Sequence, residues 1–160
     1  MKRSFNIFTL VAIALCMFSC KTEKKEDLKP LDLLEYGFPL TIMAPDSADV
    51  KKMDLTFQQD LTVKKGDDYY VQIFSANAST LDSKVLKEQK LLEVQSNPYF
   101  SKIVQEDDNG FIYEKAVDTS RYNYDFIFVR VQGDKEYVYQ TGLIGNFDLE
   151  DVQRMYKAVQ

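Results

Sequence analysis

A series of strand-like segments joined by short turns restricts the fold of this chain more than any other feature. Residues 54–63 alternate apolar and polar side chains, which predicts a strand with one buried and one solvent-facing side. The buried side would carry Leu55, Phe57, Leu61 and Val63. The other predicted strands are 39–44, 69–75, 99–105, 110–117, 122–132 and 136–144. Because strands joined by tight turns run antiparallel, we expect an antiparallel sheet.

Two segments have the pattern of helices. Residues 79–96 start with a capping residue, Ser79 or Thr80, and place Leu81, Val85 and Leu92 on one face. The chain closes with a second helix that begins at Asp148, where acidic residues suit the helix dipole. Its apolar stripe comprises Leu149, Val152, Tyr156 and Val159.

The order of these segments predicts an α+β domain. Three strands, a helix, four strands and a final helix give the pattern β-β-β-α-β-β-β-β-α. Two helices with one apolar stripe each need a sheet to cover. We therefore expect a twisted antiparallel sheet of about six to seven strands packed with two helices.

Histidine is absent from the 160 residues, which excludes serine-histidine triads, cysteine-histidine dyads and histidine-bearing zinc sites. The net charge is −5, and an acidic surface repels phosphate backbones, so we expect no nucleic-acid partner. No residue pattern predicts a cofactor, and the composition favours a protein that is not an enzyme.

The amino-terminal segment has the character of an export signal. Lys2 and Arg3 precede an apolar run at 7–18, which is shorter than the roughly 20 apolar residues of a membrane-spanning helix. A membrane helix or a buried core helix is the alternative. We interpret 1–19 as a signal peptide because the run stops abruptly at a charged segment.

Residues Met17, Phe18, Ser19 and Cys20 resemble the lipobox of bacterial lipoproteins, in which a small residue precedes a cysteine. The resemblance implies cleavage before Cys20 and a membrane anchor through lipid on its sulfur. Residues 20–30 would form a charged tether and 31–160 a single globular domain. The charged run after the cysteine is similar to that of Bacteroidota lipoproteins, which implies an outer-membrane location, periplasmic or surface-exposed. A plain solvated tether is the alternative.

The element order, the Tyr36-Gly37-Phe38 sequence before a strand and the terminal helix are similar to those of PsbP-like domains. Members of that group mostly bind partners. The resemblance implies a binding or assembly role at the cell envelope, with no specific residues to transfer.

Tyrosines are the leading candidates for a recognition surface. If the last two strands pair, Tyr122, Tyr124, Tyr137 and Tyr139 are predicted to form a platform for an envelope protein, a peptide or a glycan. The alternative is that these tyrosines fill the margin of the core. In the Asp46-Ser47-Ala48 sequence, Ser47 is a candidate for bacterial O-glycosylation, although a turn explains the same residues.

Two other activities stay open on the sequence alone. Asp60, Glu114 and Asp125 are candidates for a carboxylate-based hydrolase, with solvent-facing strand acids as the alternative. A carrier of a small apolar ligand would need an enclosed pocket. The acidic turn at 106–109 has oxygen ligands that suit calcium, but its spacing is that of a solvated hairpin turn, and we predict no metal site.

Overall fold

The computed structural model describes residues 25–116 and 121–160. The predicted signal peptide and Cys20 lie outside these residues. The strands are β1 (Leu28–Asp32), β2 (Thr41–Pro45), β3 (Asp49–Asp54), β4 (Gln59–Lys65), β5 (Tyr69–Asn77), β6 (Phe100–Asp107), β7 (Gly110–Ala116), β8 (Tyr122–Gln132) and β9 (Lys135–Thr141). The helices are α1 (Ser83–Gln95) and α2 (Leu149–Ala158), and a single 3-10 turn covers Leu34–Tyr36. Within the described ranges, no helix has the length and apolar character needed to cross a bilayer.

Seven strands form one sheet in the order β3-β4-β5-β9-β8-β7-β6, and every neighbouring pair is antiparallel. β1 and β2 form a separate antiparallel hairpin. The predicted α+β class is therefore confirmed. Within the described residues, β1 starts at Leu28 and pairs with β2, although 28–30 were predicted to belong to the tether.

The predicted strand at 54–63 is wrong, because a turn divides it. The backbone N–H of Leu55 donates to the carbonyl of Gln58 at 2.9 Å, so the chain reverses between β3 and β4. Leu55 and Phe57 consequently lie in solvent, and Phe57 is 92% exposed. Only Leu61 and Val63 of the predicted buried side belong to the core.

One side of the sheet, here called the inner face, is closed by α2 and the β1–β2 hairpin. Asp148 caps α2 by accepting from the Asp151 N–H at 2.8 Å. Val152, Tyr156 and Val159 of the predicted stripe are buried, and Leu149 is partly buried against them. The inner-face core also contains Leu61, Val63, Val71, Ile73, Ile112, Phe126, Phe128 and Tyr139.

The opposite side, the outer face, is covered only in part. α1 packs on β8 and buries Leu86 and Leu91 against Phe111, Ile127, Val129 and Val138. The helix starts at Ser83 with Asp82 as its cap, four residues later than predicted. The predicted apolar face is wrong: Leu81 is 82% exposed and Leu92 is 67% exposed.

Candidate binding groove

The four predicted tyrosines do lie on one face of the sheet, but it is the inner face. Tyr139 pairs with Phe128 and Tyr137 with Arg130, so paired side chains point the same way. The rings of Tyr139 and Phe128 stand 5.7 Å apart, and burial raises the pKa of Tyr139 to about 12. Tyr137 and Tyr139 are buried, whereas Tyr122 is 54% exposed. The expected platform of four accessible tyrosines is therefore wrong, because α2 and the β1–β2 hairpin cover half of it.

The three candidate carboxylates are not brought together. Asp60 and Asp125 share the outer face, but three strand spacings separate β4 from β8, about 14 Å across the strands. Glu114 faces the opposite side, because it pairs with Tyr124 on the inner face. Asp125 forms an ion pair with Lys115 and accepts a hydrogen bond from Thr141. These separations do not match the pair of acids that glycoside hydrolysis needs.

Glu114 is a buried carboxylate with a set of donors around it. Ser101 donates to its Oε1 at 2.8 Å, Tyr124 to its Oε2 at 3.1 Å, and Lys102 lies 3.4 Å from Oε2. Burial by itself raises the pKa of Glu114, but the hydrogen bonds and the lysine charge outweigh it and lower that pKa. The cluster holds β6, β7 and β8 together.

We expect Glu114→Gln to weaken the fold at neutral pH by about 1–2 kcal/mol, since hydrogen bonds to a charged acceptor are lost. A carboxylate whose pKa is lowered by folding stabilises the fold at pH values above its ordinary pKa of 4.5. This stabilisation is lost as the pH falls through the pKa of the folded state. The difference between wild type and Glu114→Gln should therefore be constant from neutral pH down to about 4.5 and shrink below it. Urea unfolding across this pH range measures the difference, and Tyr124→Phe should show a smaller one. A difference that grows on acidification contradicts the assignment.

The acidic turn between β6 and β7 is held by lysines of α1. Lys87 donates to Glu106 at 2.7 Å, and Lys84 lies 3.4 Å from Asp108. Across residues 25–116 and 121–160, no three histidine, cysteine, aspartate or glutamate residues are grouped so that they could hold a metal ion. The carboxylates of this turn therefore fasten α1 to the sheet.

Ser47 lies in the turn between β2 and β3, with a positive φ of 54°. Its side chain is exposed, and Asp46 beside it pairs with Lys29 at 2.6 Å. The position is accessible, and its O-glycosylation stays a prediction.

A groove of ≈ 350 Å³ runs along the outer face where α1 leaves the sheet uncovered. Its floor comes from β5, β9, β8 and β7, one wall is the second half of α1, and Gln58 of the β3–β4 turn stands at the other side. The lining residues are Gln58, Phe74, Ala76, Lys90, Glu93, Val94, Asn97, Tyr113, Ile127, Glu136, Val138 and Gln140.

The groove combines an apolar floor with a polar rim. Phe74 is partly exposed on the floor, and Ile127 and Val138 beside it belong to the outer-face core and are buried. The charges of the rim are largely paired internally. Lys90 lies 2.9 Å from Glu93, and Glu136 accepts from both the backbone N–H and the hydroxyl of Ser79 at 2.8 Å. Such a surface suits an uncharged ligand with apolar side groups.

The sequence did not predict the groove, because the groove depends on how much of the outer face α1 covers. One signal was present: β5 carries apolar side chains on both faces, with Ile73 inward and Phe74 outward, as expected of a strand covered on two sides. That pattern indicates two covered faces, but it does not distinguish a packed surface from an open groove.

Comparison with known proteins gives no assignment: no family model, no curated protein and no solved structure matches this chain. The lipoprotein and PsbP-like resemblances accordingly remain predictions from the sequence.

Proposed function

We propose that this protein is a membrane-anchored lipoprotein of the cell envelope that binds an extended peptide segment of a partner protein in the outer-face groove. The observation that carries the proposal is the groove itself, where α1 covers β8 and leaves Phe74 and Ala76 of the neighbouring β5 partly open to solvent. Its volume of ≈ 350 Å³ lies within the range of small-ligand and peptide sites.

The rim favours a peptide. Gln58, Asn97 and Gln140 place three amide side chains around the apolar floor. An amide side chain offers both a donor and an acceptor, which matches the alternating N–H and C=O groups of an extended backbone. The apolar floor would then receive alternate side chains of the bound segment.

Binding is favoured over catalysis by the state of the groove's acids. Glu93 is paired with Lys90, and Glu136 is held by Ser79, so each has a partner on the rim. The buried carboxylates Glu114 and Asp125 do not line the groove. A carboxylate-based hydrolase is thus the weaker interpretation of this site.

Filling the groove should abolish partner binding. Ala76 lies on the floor and is partly exposed, so Ala76→Trp places a large ring in the groove without entering the core. We expect a photo-crosslinking residue at Gln58 to capture a partner in cells, and Ala76→Trp to reduce that product roughly tenfold.

Thr62→Trp is the matched control. Thr62 lies on β4, on the same outer face as Ala76, and is partly exposed, but it does not line the groove. Thr62→Trp should therefore leave the amount of crosslinked product unchanged. Equal products from both variants contradict the groove as the binding site, and an adduct of small-molecule mass would instead indicate a carrier of an apolar ligand.

A further inference from the structure

The proposed anchor would leave little freedom between the lipid and the folded domain. Lys25 Nζ lies 2.6 Å from Asp151 and 3.2 Å from Glu150 at the start of α2. Arg154 of the same helix donates to the Glu26 carbonyl. The chain from Cys20 to Lys25 spans at most about 18 Å when fully extended. A domain of this size has a radius of gyration of about 14 Å, so the end that carries Lys25 would face the bilayer.

An exposed apolar pair lies at that same end of the molecule. Leu143 is 76% exposed and Ile144 is 82% exposed, in the loop between β9 and α2. Asn146 of this loop lines one hollow together with Lys25 and Glu26. Asn146 and Ile144 also line a neighbouring hollow. The apolar pair is therefore next to the point where the chain leads towards Cys20.

Two exposed tyrosines extend this surface. The Phe147 N–H donates to the Asn123 side chain at 2.8 Å, which places the start of β8 beside the loop. Tyr122 is 54% exposed there. Tyr99 is 59% exposed in the turn before β6, where its carbonyl accepts from the N–H of Ala116 of β7 at 2.8 Å. Tyrosine at the margin of an aliphatic pair is the composition of a membrane-interface contact.

We infer that the Leu143–Ile144 loop dips into the headgroup region of the bilayer and, with Tyr99 and Tyr122, fixes the orientation of the domain on the membrane. The inference rests on the proposed lipid anchor at Cys20. The occupant is a lipid surface because the anchor brings this end to the bilayer. Charge does not draw this end to anionic lipid. Lys64 and Asp67 border one hollow, and the other hollow sets Lys25 against four acids, Glu26, Asp67, Asp68 and Asp151. The contact therefore does not require anionic lipid.

A fluorescent label at the loop tests the contact. The mature chain has Cys20 as its single cysteine, and lipid would occupy it, so Ile144→Cys supplies the one free thiol. The mature lipidated protein carrying an environment-sensitive dye at this thiol is placed in phosphatidylcholine vesicles that contain a nitroxide-labelled lipid. We expect a blue-shifted emission and roughly threefold stronger quenching than for the control.

Phe57→Cys is the control, because Phe57 is 92% exposed in the turn between β3 and β4, at the other end of the sheet. Vesicle flotation distinguishes the lipid anchor from the loop contact. Protein that floats with equal quenching at both positions supports the anchor and overturns the loop contact. Protein that does not float overturns the anchor and the loop contact together, whereas flotation with selective quenching at residue 144 supports the anchor and the loop contact.

Discussion

Replacing Phe126 by alanine is expected to lower the free energy of unfolding by about 3–5 kcal/mol. Phe126 is completely buried on the inner face, and its ring meets Tyr156 of α2 edge-on at a centroid distance of 5.7 Å. Tyr156 in turn stands 6.1 Å from Phe128. Removal of the ring leaves a cavity between the sheet and α2, and both the transfer energy and the packing contacts are lost. Urea titration followed by circular dichroism measures the change.

Phe57→Ala is the matched control, since it deletes the same ring at a position that is 92% exposed. It should change the free energy of unfolding by less than about 0.5 kcal/mol. If both variants lose similar stability, the inner face is not the principal core of this domain.

Gly110→Ala is expected to lower the free energy of unfolding by about 2–3 kcal/mol, because at Gly110 β7 lies too close to β8 and α2 for any side chain. A Cβ at this position would lie 2.5 Å from the Ile127 carbonyl oxygen, 2.8 Å from the Tyr156 hydroxyl and 3.0 Å from the Phe128 Cα. Two of these three atoms belong to the backbone of β8 and cannot rotate away. The thermal midpoint should fall accordingly.

Gly133 distinguishes crowding from backbone strain. It has a positive φ of 63°, and a Cβ added there would meet no neighbouring atom within 4 Å. Gly133→Asn should therefore be nearly neutral, because asparagine tolerates the left-handed conformation. Gly110→Asn should remain as damaging as Gly110→Ala. Comparable losses at the two glycines contradict the crowding explanation.

Local sequence signals were sufficient to predict the buried face of α2 but not that of α1. The cap Asp148 and the buried Val152, Tyr156 and Val159 follow a helical period because one face of α2 meets the core. α1 instead buries Lys87 beside Leu86 and Leu91. Lys87 is held there by Glu106 and Glu88 at 2.7 and 2.8 Å, so its buried position depends on a partner distant in sequence. No local pattern contains that information.

The site was less predictable than the fold for the same reason. Alternation placed Tyr137 and Tyr139 correctly on a strand, but it does not tell which face of the sheet other elements cover. The β1–β2 hairpin and α2 cover the inner face and so bury these two tyrosines. The groove arises in turn from the distance over which α1 overlies β8, a property of three-dimensional packing.

The position of β9 has a consequence for how the chain acquires its fold. β9 lies between β5 and β8, so the blocks β3–β4–β5 and β8–β7–β6 are joined in the sheet only by residues 135–141. α2, which also bridges them, follows later still. The sheet cannot be completed until nearly the whole polypeptide is available, and such non-local closure is intrinsically slow. Under the proposed export of the chain as a lipoprotein, this delay would leave the sheet incomplete, and the chain able to pass through a translocation pore, until residues 135–141 had crossed.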